Sequence, residues 1–195
     1  SLMCWLSASF YEIPGVRELL ATVIVRDLCE LVAPVLNSSP SLQSALAPPH
    51  SSESVAKVRK LLRSAKDAAP STRQIDLDHI LSLLALLASL PSSIWTSESI
   101  ASLTSALLIL MEVSLHLNLP APIIEAFVVG NQTVLDRASG SRSTSIHTAA
   151  LESSVLHGED LLATLDLVHS KIGLQSASLL RAQTELLFLS ASKSS

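Results

Sequence analysis

From Gln74 through Asp136 the chain runs for 63 residues without a lysine or an arginine. The acidic residues of that block are Asp76, Asp78, Glu98, Glu112, Glu125 and Asp136, and most of the rest is leucine, alanine, isoleucine, valine and serine. A segment so long and so apolar must be covered on several sides. Apolar positions recur at helical spacing, and no run in the chain alternates at period two. Ile123 to Val129 is rich in β-branched residues, but Pro122 and Glu125 fit a helix start.

Prolines and short polar residues punctuate the helical pattern. A first short helix is expected over Leu2 to Tyr11. A second carries Val16, Leu19, Leu20, Val23, Leu28, Leu31 and Val32 and stops at Pro34. Residues 37–51 form a Pro/Ser-rich loop with at most one helical turn. Ser52 caps a basic helix reaching about Ala69, and Asp76 caps the next, which ends at Pro91. Thr96 or Ser97 opens a third, ending before Pro120. The fourth runs from near Pro122 to Ser139-Gly140. A longer helix starts near Thr144, bends near Gly158 and ends at Gly173, a last one covers Ser176 to Leu189, and 190–195 is a frayed tail. The fold class expected is all-α, with about seven or eight helices in one domain over 1–195.

Helix starts near 52, 76, 97, 121 and 144 give pair-to-pair steps of 45, 45 and 47 residues. Two helices per ~40–47 residues resembles the HEAT and armadillo repeats. The resemblance is one of spacing over about residues 52 to 173, and it implies a solenoid of stacked helix pairs acting as a scaffold. An irregular helical bundle with Pro-stopped loops gives similar spacing.

Leucine and serine supply 38 and 34 of the 195 residues, glycine only 5 and aromatics 3%. Glycine-rich nucleotide loops and Gly-x-Ser-x-Gly elbows are absent, so no cofactor and no catalytic residue is expected. Glu112 with His116, and Asp166 with His169, have spacings that suit metal ligands, and Glu125 is a third donor candidate. A di-metal bundle needs more inward carboxylates than these, so the plain reading is polar pairs on helix flanks and no metal. His157-Gly158-Glu159-Asp160 reads as a kink with acids at a new helix start, or as a contact loop. Ser38, Ser39 and Ser51 to Ser54 suit phosphorylation as any exposed serines would.

Net charge is −4. Yet six of the 13 basic residues, Lys57, Arg59, Lys60, Arg63, Lys66 and Arg73, fall in one 17-residue window. On the helix over 52–69, Val55, Val58, Leu62, Ala65 and Ala69 form a narrow apolar stripe, with Lys57, Arg59, Lys60, Arg63 and Lys66 around it. This is the interaction site we expect, facing an acidic surface or an amphipathic helix of a protein partner. Nucleic acid is a weaker candidate, because Trp95 is the only aromatic between Tyr11 and Phe127. A solvated helix face is the bland alternative.

Cys4 and Cys29 lack partners at zinc or redox spacing and read as reduced thiols. Ser1-Leu2-Met3-Cys4-Trp5-Leu6 has no basic region of a signal peptide, so the Asn131-Gln132-Thr133 sequon carries no weight. The start also lacks an ordinary initiator, as a piece of a longer protein would. Ile100 to Leu119 is long enough to span a bilayer, but Glu112, His116 and Asn118 and the missing basic flank favour a buried helix. Leu84, Leu87, Leu103, Leu107 and Leu110 should then be core residues. The expectation is an intracellular, non-enzymatic protein-interaction or scaffold module in cytoplasm or nucleus. An apolar-ligand binding bundle and a helical regulatory domain of a larger nuclear protein are the alternatives.

Overall fold

Ten consecutive residues, Ala106 to Leu115, are buried in the computed structural model. A helix buried all round needs neighbours on every side, and the architecture follows from that need. The structure describes residues 16–36, 40–47, 50–64, 75–90, 97–140 and 160–192. Among them are eight α-helices and no strand: α1 (Val16–Val32), α2 (Pro40–Ala45), α3 (Ser52–Ser64), α4 (Leu77–Ser89), α5 (Ser97–His116), α6 (Ala121–Gly140), α7 (160–172) and α8 (Gln175–Ser192). A 3-10 turn at Ala33–Leu36 follows α1 and contains Pro34, the expected stop. The fold is all-α.

The central helix α5 packs against α1, α3 and α6; α1 and α6 also pack against α4, and α6 against α8. Small α2 covers α3. It is longer than the single turn expected between residues 37 and 51, because Leu42, Ala45 and Leu46 find core contacts that proline-rich composition does not reveal. Helix starts at 52, 77, 97 and 121 keep steps of about 45 residues between alternate helices. The first expected helix, Trp95, Lys66 and the chain over 141–159 lie outside the described residues.

Local chemistry sets the helix ends. The Asp76 carboxylate accepts from the His79 backbone N–H at 3.1 Å, capping α4. Ser51, not Ser52, caps α3. Its Oγ accepts from Ser54 N at 3.4 Å while Ser54 Oγ accepts from Ser51 N at 3.3 Å, a capping box with serine in the usual Glu position. At the end of α5, Asn118 takes φ 51°. Leu119 N then donates to Ser114 O at 3.0 Å and Asn118 N to Leu115 O at 3.3 Å, the paired bonds of a Schellman ending.

The five leucines expected in the core are there: Leu84 is 7% exposed and Leu87, Leu103, Leu107 and Leu110 are 2% or less. The Ser99–His116 stretch could cross a membrane by length and composition, and 72% of it is buried inside the protein. Gly130 lets α6 approach α4 and α5 closely, since a Cβ there would stand 2.9 Å from Leu84 Cδ2 and 3.3 Å from Leu107 Cδ2. Leu107 therefore packs directly against the α6 backbone at Gly130. Leu107→Ala should lower stability by about 2–5 kcal/mol in a urea titration. A loss under about 0.5 kcal/mol, the range of surface substitutions, would show that the central helix is not packed as described.

Candidate functional site

The five expected interaction residues part company along α3. Lys57, Lys60 and Arg63 are exposed, and none of the ion pairs among the described residues involves them. Arg59 turns inward. It stands four residues after Val55 and three before Leu62, so helical geometry places it at the margin of the buried stripe. Lys66 lies outside the described residues.

Arg59 is the hub of a polar node joining α3, α5 and α7. Its Nε donates to Glu112 Oε1 at 2.5 Å. One terminal nitrogen donates to the Asp160 carboxylate. The other donates to Asp160 O at 2.7 Å and Thr164 Oγ1 at 2.9 Å. The Thr164 hydroxyl in turn donates to Glu112 Oε1 at 2.7 Å. Most of the guanidinium N–H groups are thereby committed inside the protein. Glu112 is 7% exposed. Burial pushes its carboxyl above the usual range, and the bond from Thr164 and the charge of Arg59 pull it back only in part.

The node closes one end of a half-open cavity of about 360 Å³. Helix α5 contributes Glu112, Leu115 and His116 to it, α3 contributes Arg59, Leu62 and Arg63, and α7 contributes Ala163, Thr164, Leu167 and Lys171. Leu115 is buried, whereas Leu167 is 42% exposed. The lining therefore pairs apolar leucines with three fixed cations and one buried acid. His116 Nε2 is shut off from solvent and meets no hydrogen-bond partner among the described residues.

Both carboxylates of the carboxylate–histidine pairs, and His169, serve other bonds. Glu112 belongs to Arg59 and Thr164. Asp166 pairs with Arg181 at 2.6 Å, and His169 Nδ1 lies 2.9 Å from Ser178 Oγ, so both tie α7 to α8. Glu125 accepts from Ser176 at 3.4 Å. Among the described residues no three His, Cys, Asp or Glu side chains come together as a metal would require. Asp160, from the polar knot near Gly158, is part of the node. Asn131 of the sequon is buried and donates to Phe127 O at 3.1 Å.

One contact was invisible in the sequence: Cys29 Sγ lies 3.8 Å from His50 Nε2. It has the outline of a nucleophile and its base, and the chemistry opposes that. His50 Nε2 must carry the proton it donates to Leu46 O at 2.9 Å, so that nitrogen has no lone pair for the thiol. Burial pushes the Cys29 thiol up to about 12 and lowers His50. A neutral thiol beside a neutral imidazole is a core contact.

Removing one partner of a buried ion pair costs about 3–5 kcal/mol, while replacing the pair by apolar side chains is often neutral. Arg59→Met alone should therefore destabilise strongly in a denaturant titration, and Arg59→Met with Glu112→Leu should recover much of the loss. No recovery would mean that Asp160 and Thr164, rather than Glu112, hold Arg59. A second outcome concerns pH. A raised folded value means that the native state holds the Glu112 proton where the unfolded state, ionising near 4.3, has released it. Stability from this group is complete below that value and is lost as pH rises through the folded one. Glu112→Gln should accordingly gain on the wild type between pH 4 and neutrality, compared by urea unfolding across pH. A gap of constant size, or one moving the other way, would contradict the direction assigned to Glu112.

In comparisons with known proteins, no family model, no curated protein and no solved structure matches the chain.

Proposed function

We propose that this chain is a non-enzymatic interaction module whose recognition element is the exposed cationic side of α3. One observation carries the reading: Lys57, Lys60 and Arg63 point away from the core on one helix, and none of them takes part in the ion pairs described. Asp76, one of the acids that might have neutralised them, spends its carboxylate on the α4 cap. Unspent cations on a rigid, capped helix suit an acidic surface. Protein is preferred over nucleic acid, since the described part of this face presents no aromatic ring for stacking. We place α5 in the protein core rather than in a membrane, because Glu112 within it is satisfied by Arg59. The steps of about 45 residues between alternate helices support a HEAT- or armadillo-like scaffold as the wider setting. The cavity between α3, α5 and α7 gives the apolar-ligand reading a foothold.

Lys60→Glu with Arg63→Glu should weaken binding to an acidic partner and leave the melting temperature nearly unchanged, because exposed charges contribute about 0–1 kcal/mol each. Binding of the wild type should fall as salt rises from 0.1 M to 1 M, where the Debye length shrinks from about 10 Å to about 3 Å. Binding of the double variant at wild-type strength in low salt would remove α3 from the interface.

A further inference from the structure

We infer that the cavity between α3, α5 and α7 is the anchoring pocket of this interaction face, and that its occupant is an acidic amphipathic helix of a partner protein. The inference rests on the interaction reading above and adds a place and a chemistry to it. The three observations behind it are independent.

The first is the lining. A partner side chain entering the cavity would meet Leu62, Leu115, Ala163 and Leu167, an apolar surface that is partly open to solvent. The second is charge. Arg63 stands on the α3 wall and Lys171 on the α7 wall, so cations flank the apolar floor from two different helices. Neither appears in an ion pair among the described residues. Glu112, the one acid on the wall, is already bound by Arg59 and Thr164. An occupant with an apolar stripe bordered by carboxylates on both sides matches that arrangement. The third is size. A cavity of roughly 150 Å³ holds a benzene-sized group, so about 360 Å³ accommodates two large side chains, as at positions i and i+3 or i+4 of a helix.

The test uses the full chain with methyl-labelled leucine and a synthetic probe. The probe is a capped peptide of about four helical turns, with leucine at i, i+3 and i+7 and glutamate on both flanks. The expected result is that it shifts the methyl signals of Leu62, Leu115 and Leu167, and that a lysine-flanked version of the peptide does not. Lys171→Glu should weaken binding roughly 5- to 30-fold, the scale of losing one surface attraction and gaining one repulsion. Ala163→Trp, at an exposed position, should fill the cavity and abolish the shifts while the circular dichroism melt stays as in the wild type. Peptide binding that survives both variants but is lost in Lys60→Glu/Arg63→Glu would overturn the cavity and keep the α3 face. Binding that survives all three variants, or no binding at all, would overturn both. Octanoate moving the same methyl signals while the peptide does not would make the occupant a small apolar anion and end this proposal. Signals at the cavity that change on dilution of the protein alone would make it a second copy of this chain and end it equally.

Discussion

A helix buried around its whole circumference is stable only when other helices enclose it, and α5 is such a helix over Ala106 to Leu115. Glu112, its one buried charge among the described residues, then sets a second demand. An isolated carboxylate in such a place needs a cation and hydrogen-bond donors within reach. The 63 residues around it contain no lysine or arginine, so the cation has to come from another part of the chain. Arg59 supplies it from α3, and Thr164 supplies the donor from α7. The requirement thereby fixes how two distant segments sit against the central helix. Asp160 then balances the second half of the guanidinium charge. The absence of cations from one block and the inward turn of a cation in another are one arrangement.

Much of this was legible in the residues. Proline positions, the Asp76 cap and the leucine spacing located α1, α4, α5 and α6 to within a few residues, because each signal acts locally. The five core leucines were readable for the same reason, since Leu103, Leu107 and Leu110 sit in a stretch of α5 with little polar surface and Leu84 and Leu87 fall on the apolar side of α4. The inward turn of Arg59 was not read, although two signals for it existed. Arg59 has i+4 and i−3 relations to Val55 and Leu62, and Glu112 stands alone in an apolar helix that has to find a cation elsewhere. Each signal is weak by itself. Joining them requires knowing that α3 and α5 touch, which is a tertiary fact. Helix α2 was underestimated for a related reason, because its stability comes from the core beneath it rather than from its own sequence. The Cys29–His50 contact spans 21 residues and no spacing rule points to it.

The node and the cavity also constrain each other. Arg59 holds α3 and α7 to the same end of α5, and the space left between those two helices is the cavity. If Arg59 were released, the walls carrying Arg63 and Lys171 would lose their common tie. In the proposed reading, recognition at the cavity therefore depends on the buried Arg59–Glu112 ion pair that ties its walls together. An Arg59 substitution would weaken binding through the walls, accompanied by lost stability, whereas Lys171 substitutions act on binding with the fold intact. Measuring both quantities for both positions separates the two routes.

The four described cations of α3 divide these tasks by angle. At about 100° per residue, Arg59 lies roughly 40° beyond Val55 on the buried side. Arg63 follows about 40° further, Lys60 about 60° beyond that, and Lys57 another 60° on. Arg59 at the core margin is partly buried, whereas Arg63, Lys60 and Lys57 are exposed, in agreement with their angles. Arg59 is partly desolvated and the other three are not, so Arg59 controls more stability, while the other three are open to solvent. A uniform basic patch would show no such division. Neutralising all four together would mix a loss of packing at Arg59 with a loss of attraction at Lys57 and Lys60. Single reversals separate the charge that ties α3 to the core from the charges proposed to face an acidic partner.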